Sequence, residues 1–207
     1  MSDDLDAVEA MLASSPGLAT RQGHQSPVLL AAYRHRADIL QALLSRHPPL
    51  DIFEASAVGN LDAIRASVQR APRDLHGYSA DGFTPLHLAA FFGHEAAVRL
   101  LLDCGARIDA VTRNDLENTP LHAAAAGGHY DVCAVLIQRA APVNARQEGG
   151  FTALHAAAQQ GNMPLAQLLL ANGADVSIET DEGKTAADTA YEFEHDKIAS
   201  YLRPDAA

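Results

Sequence analysis

Three histidines recur in near-copies of one short stretch: His87 in "FTPLHLAAFFGH" (83–94), His122 in "NTPLHAAAAGGH" (118–129) and His155 in "FTALHAAAQQGN" (151–162). Evenly spaced imidazoles can ligate a metal, serve as general bases, or hold a scaffold through their ring nitrogens. Ligands of one zinc must each lie about 2.0–2.1 Å from the ion. Packed helix axes stand about 8–10 Å apart, so histidines on successive stacked helices cannot share an ion. General-base chemistry fares no better, because no serine, cysteine or acid recurs beside them in a relation suited to a triad. His94 and His129 open the second helix of their units, and His24, His35, His47, His76 and His195 follow no metal spacing. The sequence contains no P-loop, no G-x-G-x-x-G and no G-x-S-x-G. No catalytic residue, cofactor or metal site is expected.

The elements that carry the histidines repeat as well. Thr84 to Thr119 is 35 residues, and Thr119 to Thr152 and Thr152 to Thr185 are 33 each. Thr84 before Pro85 is an N-cap hydroxyl ahead of a proline at the first helical position. Leu86, Ala89 and Ala90 give a short helix face of small side chains, and Gly93 breaks that helix. "HEAAVRLLLDC" then predicts a second helix with Val98, Leu101 and Leu102 on its inner stripe, closed by Gly105. One such pair cannot bury its own apolar stripe, so units must stack.

The period and the Thr-Pro-Leu-His motif resemble the ankyrin-repeat family, and the resemblance covers roughly residues 4–203. It implies an all-α solenoid of about five helix pairs plus an N-terminal half repeat, with β-hairpin-like loops between units. The expected divisions of this single domain, 1–207, are a half repeat or cap at 4–25, a short repeat at 26–49 and a degenerate repeat at 50–82. Repeats at 83–117, 118–150 and 151–183 follow, then a C-terminal capping repeat at 184–203. In the degenerate repeat Asp51-Ile52-Phe53 stands where Pro-Leu-His is expected, and Asp188 replaces the histidine in the last. Two extra residues before Thr119 predict a loop that projects beyond its neighbours.

The resemblance further implies that each histidine bonds the threonine of its own motif and the adjoining loop, pairing Thr84 with His87, Thr119 with His122 and Thr152 with His155. It implies a non-catalytic protein–protein interaction module, with a partner protein held on the concave face of inner helices and loop tips. The positions that map to that face include Tyr33, Val58, Phe91, Phe92, Gln159 and Gln160 on helices. Asp81, Phe83, Asp115, Leu116, Glu148 and Phe151 are the corresponding positions on loops. Bulky apolar residues in the helix row beside an acidic loop row would suit a basic partner. An architectural, self-associating role is the alternative, and a metal site or enzyme hidden in the degenerate N-terminal units is a remoter one.

Composition agrees with that class. The 207 residues carry a formal net charge of −11, which argues against nucleic acid and anionic membranes as partners. An apolar fraction of 48% suits a folded chain, and 5% aromatics with no tryptophan suits closely packed helices. Cys104 and Cys133 lie in apolar helical stretches and read as buried reduced thiols. The start "MSDDLDAVEA" lacks the basic and apolar regions of a secretory signal, and no apolar run approaches a spanning helix. A cytoplasmic monomer is expected. Two lysines against 13 arginines point to a GC-rich, bacterial genome.

Overall fold

A computed structural model describes residues 26–46 and 49–203. Among them it contains twelve α-helices, two short 3-10 turns and no strand. The helices form six pairs rather than about five: α1 (Pro27–Tyr33) with α2 (Ala37–Leu44), α3 (Ile52–Ala57) with α4 (Leu61–Arg70), and α5 (Pro85–Phe91) with α6 (Glu95–Asp103). Then come α7 (Pro120–Ala126) with α8 (Tyr130–Gln138), α9 (Ala153–Gln159) with α10 (Met163–Ala171), and α11 (Ala186–Glu192) with α12 (Asp196–Leu202). The expected half repeat at 4–25 lies outside the described residues.

Each turn within a pair is closed by one residue in the left-handed region. It is glycine in the four inner pairs, His35 in the first and Glu194 in the last. The first helices α1, α3, α5, α7, α9 and α11 pack side by side in one row. The second helices α4, α6, α8 and α10 form another. Alanine makes the first row close: Ala89, Ala90, Ala124, Ala125, Ala157, Ala158 and Ala190 are fully buried where neighbouring helices meet. Leu86, Leu121 and Leu154 of the repeated motif fill the space beneath, and one core of buried apolar side chains runs from Val28 to Leu202.

Between pairs the chain makes hairpin-like loops. Ser79 N–H donates to the Phe83 carbonyl (2.8 Å), Gln147 to Phe151 (2.9 Å) and Thr180 to Lys184 (2.8 Å). Successive tips are tied by backbone bonds from Arg113 to Gly82, Glu148 to Leu116, and Asp181 to Gly149, at 2.9–3.1 Å. The longer loop before Thr119 is pinned by Asn114. Its amide nitrogen donates to the Asp81 carbonyl (2.7 Å) while its oxygen accepts from Leu116 N–H (3.1 Å).

Two further expectations need correction. Cys104 is exposed, because it is the C-cap of α6, past the buried stripe that ends at Leu101; Cys133, inside α8, is buried. In the degenerate second pair, Asp51 is the N-cap, and Glu54 rather than Phe53 takes the histidine's place. The first helix there is six residues instead of seven, so the motif shifts by one relative to Gly59.

Candidate functional site

The motif histidines are committed to the stack. The His87 ring lies 2.8 Å from Thr84 Oγ1 through Nδ1, which also accepts from Thr84 N–H at 3.4 Å. On the far side of the ring, Nε2 lies 3.0 Å from the Asn118 carbonyl of the next unit. A carbonyl can only accept, so Nε2 carries the proton and Nδ1 accepts from the threonine hydroxyl. His155 repeats this with Thr152 and the Lys184 carbonyl (3.2 Å). His122 keeps the bond to Thr119 (2.9 Å), but its Nε2 has no partner within bonding distance, although the Ala145 and Phe151 carbonyls lie near enough to favour its proton.

Burial pushes all three imidazoles down, His87 to about 4. They are neutral hydrogen-bonding struts. Among the described residues no cluster of three or more His, Cys, Asp or Glu side chains could hold a metal ion. His24 and His47 lie outside the described residues.

A second set of side chains ties each unit back to the one before. Nε2 of His94, His129 and His195 reaches the carbonyls of Ala57, Phe91 and Gln159 at 2.9–3.1 Å. Where Asn162 replaces this histidine, the Gln160 amide donates instead to the carbonyls of Ala125 and Ala126, both at 2.9 Å. Glu54 works at the N-terminal end. It accepts from Asp51 N–H at 3.1 Å to close its own cap and from the Ser26 hydroxyl of the preceding pair. Sequence reasoning missed this role for Glu54 and the pinning by Asn114. The signals were a carboxylate three residues after Asp51, and an asparagine in a loop, where its side chain readily bonds local backbone.

The residues expected on the concave face divide into three groups. Tyr33, Phe91 and Phe92 come together: Phe92 lies 5.3 Å from Tyr33 and 5.1 Å from Phe91, and Tyr33 to Phe91 is 6.3 Å between ring centroids. Tyr33 of the first pair thus bridges to the third, over the pair that carries Val58. All four side chains are half-buried. The Tyr33 hydroxyl is buried without a hydrogen-bond partner, and burial first, then the charge of Asp81, pushes it up to about 12. Asp81 itself is exposed on the loop tip before Thr84.

Phe83 and Phe151 form the second group. Each is half-buried and packs edge-on against the histidine of its own motif, at 6.3 Å from His87 and 5.5 Å from His155. The third group, Asp115, Leu116, Glu148, Gln159 and Gln160, is exposed, with Leu116 at 46%. Three further exposed rings, Tyr191, Phe193 and Tyr201, lie on the last pair, and Phe193 is the C-cap of α11 as Phe92 is of α5.

Helix pairs stacked in two rows, with tip-linked loops and histidine struts between units, define a repeat solenoid. The chain belongs to the ankyrin-repeat family. A family model described as ankyrin repeats in three copies matches residues 1–110 and 52–147, and one of many copies matches 136–190. Human ankyrin repeat and SAM domain-containing protein 3 is 36% identical over 64 residues, 31% of this chain and 10% of that protein. The transient receptor potential cation channel subfamily A member 1 homolog of Caenorhabditis elegans is 32% identical over 121 residues, 56% of this chain and 9% of that protein. Mouse ankyrin repeat and SAM domain-containing protein 6 is 36% identical over 130 residues, 58% of this chain and 14% of that protein. The chain thus spans a small part of the curated relatives it matches. Ankyrin repeats are in general protein–protein interaction modules and typically non-enzymatic. Among the described residues no helix is long and apolar enough to cross a membrane.

Proposed function

We propose that this chain is a non-catalytic module that holds a partner protein on the concave face formed by the first helices and loop tips. The observation that carries the reading is the ring cluster of Tyr33, Phe91 and Phe92. It stays half-buried at the C-terminal ends of the first helices, while the motif histidines are withdrawn into the stack. Aromatic side chains are enriched at interface cores, where a few residues carry most of the binding energy. Affinity capture with the wild type and with the Phe91→Ala/Phe92→Ala variant, both checked by circular dichroism, tests it. A specific protein held by the wild type and lost by the folded variant supports the face. Equal capture by both would move the site elsewhere.

The exposed Tyr191, Phe193 and Tyr201 favour a second reading, self-association through the C-terminal pair. Tyr191 follows its N-cap by six residues, as the fully buried Ala90, Ala125 and Ala158 do in inner units. Sedimentation equilibrium separates the two readings: a single monomer mass across concentrations removes the second.

A further inference from the structure

We infer that the partner docks through a cationic, extended protein segment, whose Lys or Arg stems lie in a trough at Ala126 and Gly127 and whose charged heads meet Asp81, Asp115, Glu117 and Glu148. The inference rests on the concave-face reading and adds the chemistry of the occupant.

The trough follows from the end of each first helix. The last helical residue and its C-cap are Phe91 and Phe92 on α5, Ala126 and Gly127 on α7, and Gln159 and Gln160 on α9. The middle two are the smallest and both are exposed. On one side stand two rings held in edge contact; on the other, the Gln160 amide reaches the end of α7 itself, bonding the carbonyls of Ala125 and Ala126 and bordering the floor. The exposed Ala126 methyl offers an aliphatic stem an apolar contact, and the Phe92 ring can also receive a cation.

Charge selects the occupant. Among the described residues no ion pair involves Asp81, Asp115, Glu117 or Glu148, and all four are exposed. The neighbouring cations are engaged. Arg113 lies 4.1 Å over the Tyr78 ring, Arg146 pairs with Asp181, and Lys184 pairs with Glu182 and Glu192. Arg34, exposed at the end of α1, is confined to the first pair.

The acidic tips are also held in place before any partner arrives. Asn114 bonds the tip before it, Glu148 N–H bonds the Leu116 carbonyl, and Glu117 is fixed in the left-handed region at φ 48°. Each tip runs through its threonine N-cap directly into the first helix of its unit, so tips and helix row belong to one face. Exposed Leu116 offers an apolar contact between two carboxylates. A rigid acidic row beside a shallow apolar floor speeds and orients the binding of a basic segment, and repels acidic ones.

The test is selection of a displayed random dodecapeptide library on the whole chain, followed by fluorescence anisotropy of the enriched peptides. Two surface variants accompany the wild type: Ala126→Arg, which fills the trough with like charge, and Asp115→Asn/Glu117→Gln/Glu148→Gln, which removes three carboxylates. The expected result is enrichment of peptides combining Lys or Arg with apolar residues. Their affinity should fall at least about ten-fold in each folded variant and weaken with added salt. Enriched peptides without basic residues that are still blocked by Ala126→Arg would overturn the cationic chemistry and leave the concave face standing. Enriched peptides indifferent to both variants, or no enrichment at all, would overturn both.

Discussion

Histidine suits its place in this repeat because its two ring nitrogens point in opposite directions. One closes the cap of its own helix and the other crosses to the next unit, as His87 does between Thr84 and Asn118. Asp188 does only the first: it accepts from the Thr185 hydroxyl and N–H at 2.6 and 3.0 Å, with no reach beyond its own cap. The struts function only when neutral, which gives the fold a pH dependence of known sign. The folded pKa of His87 is held down by burial, to about 4, while the unfolded chain takes up a proton near the usual 6.5. Its contribution is therefore complete above that value and lost as pH falls from about 6.5 towards 4, worth on the order of 3 kcal/mol for His87. His94, His122 and His155 shift in the same direction for the same cause. Urea melts should show a clearly lower midpoint at about pH 5 than at about pH 7.5. A midpoint unchanged across that interval would mean the imidazoles are not buried as neutral struts.

The helix pair is the unit in which steric demands become specific. A side chain at Gly93 (φ 76°) would place Cβ 2.5 Å from the His129 ring, which is itself tied to the Phe91 carbonyl. Gly105 has a similar backbone (φ 94°), but nothing lies within 4 Å of its would-be Cβ. Gly105→Ala should therefore cost about 1 kcal/mol from backbone strain alone. Gly93→Ala should cost clearly more, because the strut between units must move as well. Equal losses in denaturant melts of the two variants would show that the His129 contact carries no weight.

The same contrast explains what could be read from the sequence. Glycine at the break of a pair, threonine at the cap and a 33-residue period announce the unit, because each meets a local backbone need. What crosses between units is harder to see. Glu54 bonding Ser26, Gln160 standing in for a histidine, and Tyr33 reaching Phe92 over an intervening pair depend on how neighbours lean. In the N-terminal pairs that lean follows no repeated motif. The concave positions could be named from the repeat, but their grouping into a ring cluster, two histidine-packed phenylalanines and an exposed acidic row needed coordinates.

Across the molecule, helices pack against those of adjacent pairs, with the Tyr33 ring reaching the third pair as the exception, so stability is close to a sum of unit and interface terms, and an end unit is held on one side only. The last pair shows this directly: Tyr191 is 64% exposed and Tyr201 48%, whereas inner counterparts such as Ala125 and Val135 are covered. Cys133 reports on the middle. It lies in α8 at 0% exposure, with burial pushing its thiol up to about 12, while Cys104 is exposed. A thiol reagent should label Cys104 at once and Cys133 only when the array opens. The opening free energy from Cys133 labelling should match the global value from denaturant melts. Amides of α11 and α12 should exchange at a lower free energy than those of α7 and α8. If Cys133 instead reacted as readily as the α12 amides exchange, the array would be opening at its centre. The histidine struts would then add little to the coupling between units.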